Sequence, residues 1–171
     1  VAAVASTGAD LLTIHCSGGV HMLSEAQRIA SGTSLKLLGV TVLTSTDSAM
    51  LSAMGDAWGA KEAPSRASLV AALGRFAVEA KLAGLVCSVP DLQSNQLLSL
   101  GWSSPLFVTP GIRRSSDAKD DQASVAMAAD AVRAGATHLV VGRPITALKK
   151  EQRSISAQVF LSEISAASKE K

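Results

Sequence analysis

The chain has 171 residues, of which 47% are apolar and 18% charged, and its formal net charge is +2. Because the positive charges are spread along the chain and form no basic stripe, the composition argues against a nucleic-acid-binding protein. No apolar run approaches the roughly 20 residues that span a bilayer, and no signal peptide is recognised, so we expect a cytoplasmic protein that does not enter membranes. The apolar content suffices for one core, which predicts a single domain over residues 1–171.

Short apolar runs alternate with segments of helical periodicity, which is typical of repeated strand-helix units and a parallel sheet. The predicted strands are Leu11–Cys16, Leu37–Thr44, Gly84–Ser88, Leu106–Pro110 and His138–Gly142. The predicted helices are Ser24–Ala30, Ser65–Ala83, Pro90–Leu100, Gln122–Ala134 and Ser154–Ala167. Residues Met50–Ala63 fit neither pattern, and we expect an extended loop there.

The two cysteines, Cys16 and Cys87, lie inside apolar runs and have neither CxxC nor metal-ligand spacing. Free cysteine is commonly a small core residue in proteins of reducing compartments. We therefore expect two buried thiols and no metal site.

Small or polar residues follow the predicted strands, and chemistry in folds of parallel strands collects at their carboxyl ends. After the second strand, Thr44 and Ser45 offer two hydroxyls that suit the polar edge of a small ring, although they could also serve strand exit and helix capping. After the fourth, Pro110-Gly111 indicates a fixed turn with exposed backbone, or an ordinary turn.

The last predicted strand ends in Gly142-Arg143-Pro144. A glycine lets an anion approach the backbone, and an arginine donates paired hydrogen bonds to phosphate oxygens. A helix-entry turn with a surface arginine is an equally good interpretation of these residues alone. Gln122 can donate its amide hydrogens to a phosphate or a carbonyl, although a lone glutamine is usually a surface residue.

Taken in order, these motifs resemble the bacterial type of orotidine 5'-monophosphate decarboxylase, from about Val1 to Thr146. The resemblance implies a (β/α)8 TIM barrel in the α/β class, represented here by about five strand-helix units, strands 4 to 8. It also implies conversion of orotidine 5'-monophosphate (OMP) to uridine 5'-monophosphate (UMP) in pyrimidine biosynthesis, without a cofactor, in a homodimer. Arg143, the Gly142 backbone and Gln122 would hold the 5'-phosphate.

The remaining site residues implied by the resemblance belong to the nucleotide's other end. Ser45 would lie beside the amide edge of the pyrimidine, and Pro110 and Ile112 would lie against the ring. Thr44 and Arg113 fall at further positions that the family uses for ligand contact.

In that family an Asp-x-Lys-x-x-Asp-Ile-Pro-x-Thr segment performs the chemistry, and its lysine protonates the carbanion-like carbon left by CO2. This segment does not occur in the 171 residues, and Val1 aligns just after it. We therefore expect no catalytic residue in this chain, which would carry the phosphate- and pyrimidine-binding part and be inactive alone. A longer protein, a second chain or another assembly would complete the barrel.

Two other functions stay open. Without the proton-donating lysine, the chain could be a non-catalytic phosphate- or nucleotide-binding fragment. It could also belong to a sugar-phosphate lyase or synthase of the same barrel group, which shares the phosphate-binding residues. The segments Leu43-Thr44-Ser45 and Asp121-Gln122 favour a pyrimidine nucleotide over a sugar phosphate.

Overall fold

The computed structural model describes residues 1–62, 64–114 and 126–170. Within these ranges five strands form one sheet in chain order, namely β1 Leu11–His15, β2 Lys36–Val40, β3 Gly84–Val86, β4 Leu106–Thr109 and β5 His138–Leu139. Each strand runs parallel to the next one in the sequence. Sequential parallel pairing with helical crossovers is how the strands of a (β/α)8 barrel follow one another, as predicted.

Helices connect and cover these strands. They are α1 Ala2–Ala5, α2 Gly19–Ala30, α3 Ser48–Ala57, α4 Arg66–Glu79, α5 Val89–Gln93, α6 Ala128–Ala134, α7 Arg143–Thr146 and α8 Lys150–Ser168. Short 3-10 turns occur at Cys16–Gly18 and Leu98–Leu100. None of the helices in the described ranges is long and apolar enough to cross a membrane.

Among the described residues, the buried apolar side chains form two clusters, which are mostly aliphatic. The larger cluster lies between the sheet and helices α2 and α4, and Leu23, Leu37 and Leu85 are fully buried in it. The smaller cluster joins Ile112 to α6 and to Phe160 of α8. Because the second cluster is built around the segment after β4, it fixes where that segment leaves the sheet.

Both cysteines are buried and free, as predicted. Burial raises the pKa of the Cys16 thiol to about 12. The pKa of Cys87 is raised further, mainly by burial and additionally by the nearby negative charge of Asp91. Both side chains are therefore neutral core residues at physiological pH.

The strands are shorter than the apolar runs that predicted them. The run Leu37–Thr44 continues past the sheet, but β2 ends at Val40, which is paired with the last residue of β3, Val86. Thr41 and Val42 stay buried without a place in the ladder. Burial extends beyond hydrogen-bonded pairing, so the sequence overestimates strand length at the carboxyl ends.

The expectation of an extended loop over Met50–Ala63 is wrong for its first eight residues, because α3 occupies Ser48–Ala57; residues 58–62 lie in no helix or strand, and residue 63 lies outside the described ranges. The Asp47 side chain accepts a hydrogen bond from the Met50 N–H at 2.8 Å and caps this helix. Leu51 and Gly55, four residues apart, form its buried face.

Several predicted helices also have different bounds. The segment Pro90–Leu100 is divided, because Asn95 has a φ of 59° in the left-handed region and ends the helical path after α5. Helices α2 and α8 begin earlier than the predicted Ser24 and Ser154. Of the predicted helix Gln122–Ala134, residues 122–125 lie outside the described ranges, and α6 covers its end.

Candidate functional site at the carboxyl edge of the sheet

The carboxyl ends of the five described parallel strands lie at one edge of the sheet, and those predicted site residues that the structure describes lie in segments that follow three of the strands. Residues 41–46 follow β2, residues 110–114 follow β4, and residues 140–143 follow β5. Strands β4 and β5 are neighbours, whereas β2 is separated from β4 by β3. The edge therefore has two parts, one at β2 and one at β4 and β5.

Thr44 and Ser45 are the two central residues of a β-turn after β2. The Thr46 N–H donates to the Leu43 carbonyl at 3.0 Å, which is the bond that closes such a turn. The Thr44 side chain is half-buried and Ser45 is exposed. Both predicted contact residues therefore lie at the tip of a closed turn.

The guanidinium of Arg66, the first residue of α4, lies against the inner side of this turn. Its Nη1 donates to the Leu43 carbonyl at 3.1 Å and to the Thr46 carbonyl at 3.5 Å. Its Nη2 donates to the Val42 carbonyl at 3.1 Å. One side chain from another element thus contacts both ends of the turn.

The same guanidinium pairs with the carboxylate of Asp91 in α5. Nε donates to Oδ1 at 2.9 Å, and Nη2 donates to Oδ2 at 3.2 Å, so the pair is bidentate. The Arg66 side chain is 23% exposed and that of Asp91 is 2% exposed. A buried carboxylate requires such partners because its desolvation is costly.

Ser88, two residues after the end of β3, completes the environment of Asp91. Its N–H and its hydroxyl donate to Oδ2 of Asp91 at 2.8 Å and 2.6 Å. The Asp91 N–H donates back to the Ser88 hydroxyl, which makes a capping box at the start of α5. This chain of bonds links the end of β3 to the turn after β2.

Sequence reasoning did not single out Arg66 or Asp91. The Ser-x-x-Asp spacing of Ser88 and Asp91 is a local signal for a capping box that could have identified one of them. Arg66 lies 25 positions from its partner, so no local pattern indicates the pair.

The segment after β4, residues 110–114, has a left-handed residue at Gly111 and is hydrogen-bonded to Ala126. Gly111 has a φ of 81°, in the left-handed region that glycine adopts without a steric penalty. Ile112 is fully buried and forms a parallel bridge with Ala126. The Arg113 N–H donates to the Ala126 carbonyl at 3.0 Å, and its Nη1 donates to the Ile112 carbonyl at 2.9 Å.

The three predicted contact residues in this segment, Pro110, Ile112 and Arg113, differ in how far they are exposed. Pro110 is half-buried, whereas Ile112 and Arg113 are buried, Arg113 to 8% exposure. The ligand contacts that the resemblance implies for the three residues stay predictions. Gln122 lies outside the described residues, and its predicted role stays a prediction as well.

Gly142 and Arg143 follow β5 at the same edge. The Val140 N–H donates to the Thr109 carbonyl at 2.9 Å, so the contact with β4 continues past the end of β5. A Cβ built on Gly142 would meet no atom of residues 1–62, 64–114 or 126–170 within 4 Å, so the described part of the chain leaves open space beside this backbone. Arg143 is exposed and begins α7.

The segments after β4 and β5 are also tied to each other. Arg114 Nη2 donates to the Pro144 carbonyl at 3.4 Å, and the Ser156 hydroxyl donates to the same oxygen at 3.0 Å. Pro110 follows β4, and Gly142 and Arg143 follow the neighbouring strand β5. Hydrogen bonds to the Pro144 carbonyl connect the two segments. Such an arrangement can receive an anion against the backbone.

A cavity of about 450 Å³ opens at the β1 and β2 end of the edge, and most of its lining is apolar. Its walls include His15, Thr41, Leu43, Trp58 and Phe76. Gly142 and Arg143 do not line it. Nowhere in the described ranges do three or more potential metal-ligating side chains cluster.

Residues 1–157 match the family described as "Orotidine 5'-phosphate decarboxylase / HUMPS family". A protein of Anaeromyxobacter sp. (strain K) named "Orotidine 5'-phosphate decarboxylase" is 45% identical over 141 residues, which are 82% of this chain and 58% of that protein. A protein of the same name from Wolbachia pipientis subsp. Culex pipiens (strain wPip) is 37% identical over 161 residues, 94% of this chain and 66% of that protein.

The chain also resembles solved structures of proteins with this name. The chain resembles the orotidine 5'-phosphate decarboxylase of Lactobacillus acidophilus with a TM-score of 0.75 and 25% identity, over 95% of this chain and 66% of that one. It shares the fold of the orotidine 5'-monophosphate decarboxylase of Sulfolobus solfataricus with a TM-score of 0.62. The chain thus spans about 58–66% of the length of these curated and solved relatives.

Proposed function

Because the chain belongs to the orotidine 5'-phosphate decarboxylase / HUMPS family, we propose that it binds the pyrimidine nucleotides OMP and UMP at the carboxyl edge of its sheet. The observation that carries this proposal is the 45% identity over 141 residues to a protein named as an orotidine 5'-phosphate decarboxylase. In the proposed role the chain supplies the phosphate- and pyrimidine-binding part of a decarboxylase. No cofactor takes part.

The phosphate end of the proposed site is formed by Arg143, the Gly142 backbone and Gln122. The space beside Gly142 supports this assignment, because a phosphate can approach the backbone there without meeting a side chain of the residues that the structure describes. The Arg143 guanidinium is exposed at the same place and has the planar geometry that binds two phosphate oxygens at once.

The pyrimidine end of the proposed site is formed by Thr44 and Ser45, with Pro110, Ile112 and Arg113 as further contacts. The position of Thr44 and Ser45 at the tip of a turn supports their part, since hydroxyls on a fixed turn can donate to a carbonyl and accept from an N–H. A uracil amide edge presents both groups.

Decarboxylation leaves an electron pair on the ring carbon, and that carbon must receive a proton to give UMP. The Asp-x-Lys-x-x-Asp segment that would donate the proton does not occur in the 171 residues. In the proposal this chain holds and orients the nucleotide, and a segment or chain beyond these residues donates the proton. Assembly as a homodimer belongs to the same proposal.

A titration with three ligands tests the nucleotide assignment. We expect UMP to bind, uridine to bind more weakly because it lacks the phosphate, and ribulose 5-phosphate to displace UMP only at concentrations well above that of UMP, because it lacks the pyrimidine ring. Displacement of UMP by ribulose 5-phosphate at a lower concentration than UMP itself would instead identify a sugar-phosphate site. Absence of UMP binding would overturn the proposal.

A turnover assay tests whether the proton donor lies outside these 171 residues. Loss of OMP absorbance is expected only after the missing segment is supplied, for example as a fusion to the amino terminus. Turnover by the 171-residue chain alone would show that the proton donor lies within it. Sedimentation of the completed protein measures whether it is a dimer.

A further inference from the structure

We propose that Arg66 is a positioning residue that sets the turn carrying Thr44 and Ser45, and thereby the affinity for the pyrimidine part of the ligand. This inference rests on the proposed function, because it concerns the same site. The hydrogen bonds of Arg66 to this segment go to the backbone carbonyls of Val42, Leu43 and Thr46, on either side of the turn tip. Arg66 acts on the backbone from which the two hydroxyls project.

The first argument is the complete use of the guanidinium. An arginine has five N–H hydrogens, and Arg66 has five acceptor contacts. Two are the carboxylate oxygens of Asp91, and three are the carbonyls of Val42, Leu43 and Thr46. The three carbonyl bonds specify the path of residues 42–46 more closely than an ion pair would.

The second argument is where the sheet ends. The ladder between β2 and β3 stops at Val40 and Val86, so residues 42–46 are beyond the reach of strand pairing. A loop in that position gains order only from contacts of other kinds. The Arg66 guanidinium supplies these contacts from the start of α4.

The third argument is the rigidity of the support. Asp91 is 2% exposed and is oriented by the Ser88 N–H and hydroxyl at the end of β3. The guanidinium is therefore held by a group that is itself fixed to the sheet. A turn ordered before the ligand arrives loses less conformational freedom on binding, which raises affinity.

The test compares Arg66→Gln and Arg66→Lys with Arg75→Gln, an exposed arginine of the same helix α4. Lysine keeps the positive charge opposite Asp91 but cannot donate to three carbonyls and a bidentate carboxylate at once. If the carbonyl bonds position the turn, Arg66→Lys behaves like Arg66→Gln. If only the charge matters, lysine restores the original behaviour.

Two measurements are made on each variant of the 171-residue chain. Amide hydrogen exchange of residues 43–47 reports the order of the turn without any ligand. We expect at least tenfold faster exchange there in both Arg66 variants and no change in Arg75→Gln. Titration with UMP should then give about tenfold weaker binding in both Arg66 variants, whereas the affinity for ribose 5-phosphate, which lacks the ring, should be unchanged.

The outcomes separate this inference from the proposed function. Unchanged exchange in Arg66→Gln, or full rescue by lysine, overturns the positioning role while UMP binding by the unsubstituted chain still supports the proposed function. Equal weakening of UMP and ribose 5-phosphate also overturns it, because the effect would then not be specific to the ring. If the unsubstituted chain binds no UMP, the proposed function fails, and the inferred effect on the ligand fails with it.

Discussion

Gly84, the first residue of β3, lies directly against the backbone of Leu106, the first residue of β4. A Cβ built on Gly84 would overlap the carbonyl group and the nitrogen of Leu106. Backbone atoms in a sheet cannot rotate away as a flexible side chain can. The register of β3 against β4 therefore depends on a glycine at this position.

Replacement of Gly84 by alanine is expected to destabilise the protein by about 1–3 kcal/mol or more, because the added methyl overpacks a backbone contact. Gly32→Ala is the matched control, since a Cβ there meets no atom of the described residues within 4 Å. The free energy of unfolding in urea measures both variants. Equal stability of the two variants would contradict the close approach of β3 and β4.

Both cysteines are expected to resist alkylation in the native protein. The pKa of Cys16 is raised to about 12 and that of Cys87 further, so little reactive thiolate forms at pH 8. Iodoacetamide followed by mass spectrometry should show no modification in buffer and two modifications in denaturant. Rapid labelling of the folded protein would show that the thiols are accessible.

The same shift predicts how stability depends on pH. A thiol pKa that is higher in the folded than in the unfolded state makes a contribution that is fully present below pH 9, the unfolded value, and is lost as pH rises towards 12. The free energy of unfolding should therefore fall over this range. Cys16→Ala, which removes one of the two groups, should fall less steeply.

Asp91→Ala is expected to reduce the free energy of unfolding by about 1.5–3 kcal/mol, because it removes the carboxylate that accepts from the Arg66 guanidinium and from the Ser88 N–H. Glu25→Ala is the control, since Glu25 pairs with Arg28 at the surface with both side chains more than half exposed. Surface pairs contribute at most about 1 kcal/mol. A loss no larger than that of Glu25→Ala would contradict a stabilising role of Asp91.

Arg143→Gln is expected to weaken UMP binding by about tenfold or more, because charge-assisted hydrogen bonds contribute about 1.5–3 kcal/mol. Uridine has no phosphate, so its affinity should not change. Arg28→Gln, an exposed arginine on α2, serves as the control for the loss of charge. Calorimetric titration of each variant measures the affinities. Parallel losses for UMP and uridine would place Arg143 away from the phosphate.

The order of the strands could be predicted from the sequence because parallel strands between helices leave a strong apolar pattern. All five strands lie within or next to the predicted runs, and helix-ending glycines such as Gly135, with a φ of 105°, mark their starts. Strand length could not be predicted in the same way. Val42 is as buried as a strand residue, although it lies two residues beyond the last pair of the β2–β3 ladder, Val40 and Val86.

Other features depend on contacts that no local pattern contains. The apolar pattern does not reveal helix α3, because only Leu51 and Gly55 are buried in it and a glycine adds nothing to an apolar stripe, although Asp47 before Ser48 is a recognisable capping residue. Gly142 and Arg143 could be identified as candidates from their place after an apolar run. The support of Thr44 and Ser45 by Arg66 could not, because it joins segments more than 20 positions apart.

The chain-order pairing of the sheet has a consequence for how the protein reaches its fold. Each strand hydrogen-bonds to the next in sequence, so every interstrand contact closes a loop of one strand-helix unit, as from Leu11 to Lys36. The entropic cost of closing a loop grows only with the logarithm of its length. Each pairing of neighbouring strands here closes one such loop. Assembly of the five described strands can therefore proceed one unit at a time.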